Sequence, residues 1–399
     1  MATTARIVPV TLHPLIGHPD ERRAVATAHA AGRLPSSLLI RGPRGIGKQR
    51  FALWTAQLCV CDAPGAEPCG TCPSCRMVLG LEHPDVHWYF PLPRPKRVSP
   101  DRLAEALEEA RNETLQGRRE SPLTRPSPTE VTGLYLGTIR NIRARAHMRP
   151  TMAPGPIFVI GDADLLVPQE ASQEAANALL KLLEEPPGAA RFILTSSEPG
   201  RLLPTIRSRS VPLHLGPLPV DDVAGALVEH GDVDEDAARK AAALSQGSIG
   251  RAIGFLPGED DKGDPVAGEL DQLRRKAYAI LRAALDDRPR AHALAFDYTS
   301  TGARTLLDLF QFLEEWLRDL GAVASGAGTS TFNVDAVDAL RDLSERSGVD
   351  PSRVPASFAA VERARELARG NVNPQLVVGS LVRSLGATLI PTRAPVGTR

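Results

Sequence analysis

The sequence is poor in aromatic residues and has no net charge, and both deficits limit what the protein can be. Phe, Trp and Tyr make up 4% of the 399 residues, so its cores must rest on aliphatic side chains, which favours helices. Lys plus Arg equals Asp plus Glu at 47 each. A balanced charge argues against a free-standing nucleic-acid-binding protein but leaves room for a local basic surface within an assembly.

Long hydrophobic segments and dispersed cysteines are also missing. No run of about 18 apolar residues occurs, so we expect no membrane span. Residues 1–10 do not show the charged and apolar regions of a signal peptide, and we expect none. All 5 cysteines fall within residues 59–75, which does not suit a disulfide framework. These absences predict a cytoplasmic protein with one local thiol site.

The pattern of the chain changes near residue 216. Before it, apolar strands at 37–40, 156–160 and 191–194 alternate with helical patterns at 48–60 and 172–185, which predicts an α/β domain over residues 1–215. Beyond it the pattern is helical. A polar linker at 257–265 separates a small helical domain, residues 216–262, from a helical bundle, residues 263–399.

Residues 91–135 have the composition of an insertion. Proline-rich sequence flanks one helical stretch, 101–116, for which Ser99 is the expected cap. Residues 94–149 contain twelve Lys or Arg and seven Asp or Glu, which makes this the most basic part of the chain. A functional basic surface and a solvated loop both fit this composition.

A phosphate-binding loop follows the first predicted strand. Gly42, Gly45, Gly47 and Lys48 fit the pattern G-x-x-x-x-G-K between a strand and a helix, where glycines let backbone N–H groups turn toward phosphate oxygens. Lys48 would add a point charge and the helix start its dipole. The pattern predicts a P-loop fold.

Two parts of a hydrolytic site are missing. The residue after Lys48 should be Ser or Thr, whose hydroxyl binds Mg²⁺, but it is Gln49. Asp162 ends the second strand where a metal-binding carboxylate belongs, yet the next residue is Ala163 rather than a Glu that polarises water. Asp164 is one position too far along. We therefore expect weak or absent ATP and ADP binding and no hydrolysis.

The cysteines form a candidate metal site. Cys69, Cys72 and Cys75 have the spacing C-x₂-C-x₂-C, and four thiolates suit a structural Zn²⁺ with no position left for substrate. The fourth ligand is Cys61 or Cys59, with Cys61 preferred because Cys59 falls in an apolar helical run. His83 and His87 are possible substitutes. Free reactive thiols and an iron–sulfur centre remain alternatives.

Together these motifs resemble the delta-prime subunits of bacterial DNA polymerase III clamp loaders, relatives of the gamma/tau ATPase subunits. The resemblance covers most of residues 14–255. Besides the loop and the cysteines, the stretches that carry it are Leu-Ile-Gly-His at 15–18, His-Pro-Asp at 83–85, Ala-Ala-Asn-Ala-Leu-Leu-Lys-Leu-Leu-Glu-Glu-Pro-Pro at 175–187, Phe-Ile-Leu-Thr-Ser-Ser-Glu-Pro at 192–199 and Thr-Ile-Arg-Ser-Arg-Ser at 205–210.

The resemblance implies roles for three residues. Ser196 takes the sensor-1 position and Arg251 the sensor-2 position in the small domain. Arg209 takes the place of the arginine finger, which acts on the nucleotide of a neighbouring subunit, although Ser210 departs from the family's Ser-Arg-Cys pattern. A guanidinium suits that role because it neutralises charge on a transferred phosphoryl group. The alternative for Arg209 is a surface salt bridge.

By the same resemblance, the chain has an α/β P-loop domain of AAA+ type with an inserted four-cysteine zinc module, an all-α lid and an all-α C-terminal collar. It implies a non-hydrolysing stator that joins gamma/tau and delta subunits to load the sliding clamp onto primer-template DNA. A catalytically active gamma/tau-type ATPase is the first alternative. A DNA-binding zinc protein acting alone is the second, and the neutral charge opposes it.

Overall fold

The computed structural model describes residues 12–120, 132–166, 174–231, 233–259, 264–286, 297–298, 301–328, 331–370 and 372–390. They form two compact units that divide between Ile253 and Gly254. Residues 216–253, for which the sequence predicts a separate small domain, group with the first unit. The three-domain layout stays a prediction.

A five-stranded parallel sheet is the centre of the first unit. The strands of this unit are β1 (Ser37–Arg41), β2 (Val86–Tyr89), β3 (Leu92–Pro93), β4 (Thr132–Gly133), β5 (Ile157–Ile160), β6 (Arg191–Ser196) and β7 (Val211–His214). The sheet has the order β2-β5-β6-β1-β7, and all its pairs are parallel. The three strands predicted from sequence are confirmed as β1, β5 and β6. Their central residues are apolar because both faces of a parallel sheet are covered.

Ten helices begin within the described part of this unit. They are α1 (Pro19–Ala30), α2 (Lys48–Val60), α3 (Pro73–Leu79), α4 (Leu103–Glu120), α5 (Leu136–Ala146), α6 (Glu174–Glu184), α7 (Pro204–Ser208), α8 (Val220–Gly231), α9 (Glu235–Leu244) and α10 (Ile249–Phe255). The predicted helices 48–60 and 172–185 are confirmed as α2 and α6, although residues 172 and 173 lie outside the described ranges.

The sheet has a hydrophobic core on each face. Successive side chains of a strand point to opposite faces, so Ile40 and Val159 pack with Phe51 of α2 in one core. Their neighbours Leu39 and Phe158 belong to the other, which α5 and α6 cover. Burying each such side chain contributes about 1.5–3 kcal/mol. These cores fix the strand ends that carry the candidate site.

The insertion at 91–135 is a packed element in its described part. Strand β3 pairs antiparallel with β4, and Leu107 and Leu115 of α4 pack with Phe90 and Tyr135 in a small core of their own. The predicted helix 101–116 is confirmed, but α4 begins at 103 and runs to 120. Ser99 makes no side-chain capping bond, because a short 3-10 helix precedes α4, and its predicted capping role is wrong.

Asp85, in the His-Pro-Asp segment, anchors the loop that leads into β5. Its carboxylate accepts the backbone N–H groups of Thr151, Met152 and Ala153 at 2.7, 2.6 and 2.7 Å. Burial alone would raise the pKa of this carboxyl, but the three N–H groups outweigh it and hold the pKa below its ordinary value. Asp85 therefore has a structural role.

We expect Asp85→Asn to destabilise the protein by about 2–4 kcal/mol, because charge-assisted hydrogen bonds are lost and an amide N–H₂ faces backbone donors. Urea unfolding at pH 7 measures this, with the exposed Asp101→Asn as the matched control. Since the folded pKa is depressed, the stabilisation is present above pH 3.8 and is lost as the pH falls through the folded pKa. A pH-independent difference between Asp85→Asn and the unaltered protein would contradict this.

The second unit is helical, as its sequence pattern predicts. Its helices are α11 (Glu269–Asp286), α12 (Ala303–Ala324), α13 (Val337–Ser347), α14 (Val354–Arg369) and α15 (Pro374–Leu389). Val334 precedes α13 and is 55% exposed. Gly258–Glu259 and Pro265–Val266, in the predicted linker, pair as strands β8 and β9. Among the described helices of the chain, none is long and apolar enough to cross a membrane.

Candidate functional site

The phosphate-loop residues lie at the carboxyl end of β1, where the sequence placed them. Gly42, Gly45 and Gly47 all have positive φ, and Gly47 precedes the first turn of α2. A Cβ atom on Gly42 would lie 2.2 Å from the carbonyl oxygen of Leu215, and one on Gly45 would lie 2.1 Å from Oγ of Ser248. Only glycine fits these two positions.

Lys48 makes its contacts within the chain. Its buried ammonium donates to the carbonyl oxygen of Pro43 at 2.6 Å and to Oγ of Ser197 at 2.8 Å. Burial lowers the pKa of Lys48 to about 8, against the opposing effect of Asp162 and Asp164. The Lys48 ammonium, on which phosphate binding would depend, is therefore already hydrogen-bonded within the chain. Burial also favours its neutral form.

Gln49 occupies the place next to the candidate metal-binding carboxylate. Its Nε2 donates to Oδ2 of Asp162 at 2.8 Å, and its Oε1 accepts the indole N–H of Trp88 at 3.0 Å. Gly161 permits this approach, since a Cβ there would lie 2.6 Å from the Gln49 amide. Mg²⁺ requires oxygen ligands, and here an N–H donor already faces the carboxylate. The residues do not fit a Mg²⁺ site.

Asp164 contacts the backbone at the carboxyl end of β6, and Ser197, just beyond that strand, contacts Lys48. Asp164 is buried and accepts the backbone N–H of Ser197 at 3.1 Å, which fits the expectation that it points away from a metal. Ser196 Oγ is buried with no hydrogen-bond partner among the described residues. The residue that contacts Lys48 is Ser197, for which the sequence predicts no role, and the sensor-1 role of Ser196 stays a prediction. Burial raises the pKa of Asp162, and Lys48 opposes this.

Residues 248–251 lie directly against the phosphate loop. The N–H of Gly250 donates to the carbonyl oxygen of Gly45 at 3.2 Å, and the N–H of Arg251 donates to Oγ of Ser248 at 3.1 Å. Arg251 is half-buried. The structure thus places Arg251 beside the loop, as the resemblance implies, and its sensor-2 role stays a prediction.

Arg209 directly follows α7, a short helix that begins at Pro204. Its guanidinium forms an ion pair with Glu184 of α6 at 2.6 Å, with the Arg209 side chain 38% exposed. It also donates to the carbonyl oxygen of Thr205 at 3.2 Å. In the isolated chain Arg209 thus has the surface salt bridge that the sequence offered as the alternative to a finger role.

The four cysteine sulfurs predicted to hold zinc lie together. The Sγ atoms of Cys61, Cys69, Cys72 and Cys75 are all within 4.8 Å of one another, and those of Cys69 and Cys75 are 3.9 Å apart. Zn–S bonds of about 2.3 Å in a tetrahedron require sulfurs about 3.8 Å apart. Cys59 lies in α2 and packs against the core. The donor set and spacing fit a structural Zn²⁺ with Cys61 as fourth ligand.

Backbone donors favour the thiolate form of Cys69, whereas burial raises the pKa of Cys61 and of Cys75. The N–H of Cys72 donates to Sγ of Cys69 and that of Cys75 to Sγ of Cys72, both at 3.4 Å. Chiefly through the Cys72 N–H, the pKa of Cys69 is lowered to about 6. The loop is tied to the rest of the unit by Glu67, which accepts the indole N–H of Trp54 at 2.6 Å. Such bonds orient the ligands before metal arrives.

Comparison with curated proteins gives a consistent set of relatives. The chain is 28% identical over 243 residues to the DNA polymerase III subunit delta' of Escherichia coli, covering 61% of this chain and 60% of that protein. It is 35% identical over 217 residues to subunit delta' of Pseudomonas aeruginosa, covering 53% and 52%. It is 25% identical over 369 residues to subunit tau of Salmonella typhimurium, covering 90% and 48%. The matched part is less than two thirds of each relative's length.

A family comparison covers the unit that carries the site. Residues 17–219 match the family described as DNA polymerase III, delta subunit. The match includes the phosphate loop, the four cysteines, Asp162 and Arg209, and it extends over more than half of the chain. The protein belongs to this family of DNA polymerase III clamp-loader subunits.

Proposed function

We propose that the chain is a clamp-loader subunit of the delta-prime type, a stator that does not itself hydrolyse ATP. The observation that carries this proposal is the hydrogen bond from Gln49 to Asp162. It puts a neutral amide where a hydrolytic site needs a metal ion, and Ala163 offers no group to polarise water. Zn²⁺, held by the four cysteines, would act in folding and not in chemistry.

Arg209 is the residue we propose to act on a neighbouring subunit's ATP. Its ion pair with Glu184 is more than a third exposed on both sides, and such pairs contribute only about 0–1 kcal/mol. A phosphate on a gamma/tau neighbour can therefore replace the carboxylate at little cost. The short helix α7, followed at once by β7, holds the guanidinium at a defined edge of the sheet.

The partners in this proposal are gamma/tau and delta subunits, with the sliding clamp and primer-template DNA reached through the complex in the cytoplasm. Arg140, Arg143 and Arg149, on and just beyond α5, are exposed. No Asp or Glu occurs between residues 132 and 161. These exposed arginines suit a DNA backbone, which is bound mainly through phosphate charge. We propose them as the local basic surface that a chain with no net charge can still have.

We expect the purified chain alone to release phosphate from ATP no faster than its Lys48→Ala variant. Without a metal-binding hydroxyl or a catalytic Glu, the phosphate loop has no turnover for the lysine to support. A sensitive phosphate-release assay with both proteins at equal zinc content measures this. Clearly slower turnover by Lys48→Ala would favour the second candidate, an active gamma/tau-type ATPase. That candidate is supported by the alignment with subunit tau, which covers 90% of this chain.

A further inference from the structure

The inserted helix α4 reaches the degenerate nucleotide site through an aromatic side chain. The guanidinium carbon of Arg118 lies 4.1 Å from the ring centre of Trp88 and 3.8 Å from that of Phe90. Arg118 Nε is buried and has no hydrogen-bond partner among the described residues. The arginine is thus held mainly by the faces of two rings, an attraction that strengthens when the cation is desolvated.

Trp88 in turn fixes the orientation of Gln49 beside Asp162, the candidate metal-binding carboxylate. Its indole N–H donates to the Gln49 amide oxygen, which leaves the amide N–H₂ turned toward Asp162. If the indole did not hold the oxygen, the Gln49 amide could reverse and offer that oxygen to a metal. The indole therefore decides which end of the amide faces the carboxylate. Helix α4, β2 and α2 each contribute one side chain to this row.

The positive charge of Arg118 opposes Mg²⁺ binding at Asp162, as the hydrogen bond from Gln49 does. Burial lowers the pKa of Arg118 to about 10, and Asp162 is the charge that opposes this effect. Arg118 is therefore a cation within electrostatic reach of the carboxylate that would bind Mg²⁺. A divalent ion placed there would meet an N–H donor and the repulsion of a buried guanidinium.

We propose that helix α4 acts as a metal lock, in which Arg118 holds Trp88, Trp88 orients Gln49, and Gln49 excludes Mg²⁺ from Asp162. The proposal rests on the proposed function only in treating residues 42–48 as a nucleotide loop. It gives the insertion a task, since the segment supplies the cation that stacks on Trp88 and Phe90. Nucleotide bound in this site gains nothing from Mg²⁺.

The test is the affinity of a fluorescent ATP analogue measured in Mg²⁺ and in EDTA. The unaltered chain should show the same Kd in both within about twofold. Gln49→Thr should bind at least about tenfold more tightly in Mg²⁺ than in EDTA, a gain of about 1.4 kcal/mol. Arg118→Met in the otherwise unaltered chain should raise that ratio to about threefold, because Trp88 is no longer held over Gln49 and a nearby positive charge is removed.

Arg119→Met, also in the otherwise unaltered chain, is the matched control. Arg119 neighbours Arg118 but donates to the carbonyl oxygen of Leu81 at 2.7 Å, so it should leave the ratio unchanged. Zinc content verifies folding of each variant. The lock is overturned if the unaltered chain already binds better in Mg²⁺, if Gln49→Thr gains no Mg²⁺ dependence, or if Arg118→Met and Arg119→Met act alike. Absence of analogue binding in all variants also overturns it, while leaving the non-hydrolysing role standing.

Discussion

Arg209→Ala should sharply reduce ATP hydrolysis by the reconstituted clamp loader, an activity that the isolated chain is not expected to have. Arginine fingers are worth roughly 10³–10⁵ in turnover at the site they complete. Only the site next to this subunit would lose its finger, so total hydrolysis should fall by that site's share. Clamp loading should fall further if all sites must act together. Steady-state phosphate release and clamp loading onto primed DNA measure the two effects.

Two variants separate the finger from the surroundings of Arg209. Arg207→Ala removes an exposed arginine from the same short helix and should leave both activities unchanged. Glu184→Gln removes the carboxylate that pairs with Arg209 in the isolated chain. It should not reduce hydrolysis, because the guanidinium then has no ion pair to break before it contacts the neighbouring subunit's ATP. An intact complex with full hydrolysis and loading in Arg209→Ala would remove the finger role and leave the alternative, a surface ion pair.

Loss of zinc should have the largest effect on stability. We expect about one zinc per chain, and Cys72→Ser should lose it because three thiolates no longer close the tetrahedron. A ligand present 1,000-fold above its Kd stabilises the folded form by about 4 kcal/mol, and that contribution disappears. Elemental analysis gives the zinc content, and hydrogen exchange at residues 61–75 should show the loop opening.

Cys59→Ser is the matched control, since Cys59 packs in α2 against the core and lies outside the sulfur cluster. It should keep its zinc and the exchange protection of the loop. Iron with visible absorption would instead support an iron–sulfur centre. A metal-free chain that is fully folded, or a Cys72→Ser variant that retains zinc, would contradict the zinc assignment.

Much of the first unit could be predicted from short-range sequence patterns. The buried strands appear as apolar runs, and the phosphate loop and cysteine set are recognisable because their chemistry fixes residue type and spacing locally. Helix α4 was located but not its ends, since Ser99 suggested a cap where the chain instead forms a 3-10 turn. The segment at 204–208 is too short for periodicity to separate helix from strand.

The contacts that close the site could not be predicted, because they join distant parts of the chain. Trp88 and Gln49 are 39 positions apart, and no local pattern marks either residue as a partner of the other. Arg118 belongs to a segment whose composition fitted a solvated loop equally well. The contact of Ser197 with Lys48 could not be predicted either, because Ser197 directly follows β6 and only the geometry of the strand end decides which of the two adjacent serines meets Lys48.

The hydrogen bond from Gly250 to Gly45 bears on the stator role that we propose. It joins the phosphate loop directly to the start of α10, without a nucleotide between them. We therefore expect the position of residues 248–251 against the loop to change little when ATP or ADP is added. In the proposed complex, such a subunit would give its neighbours a fixed surface against which to move.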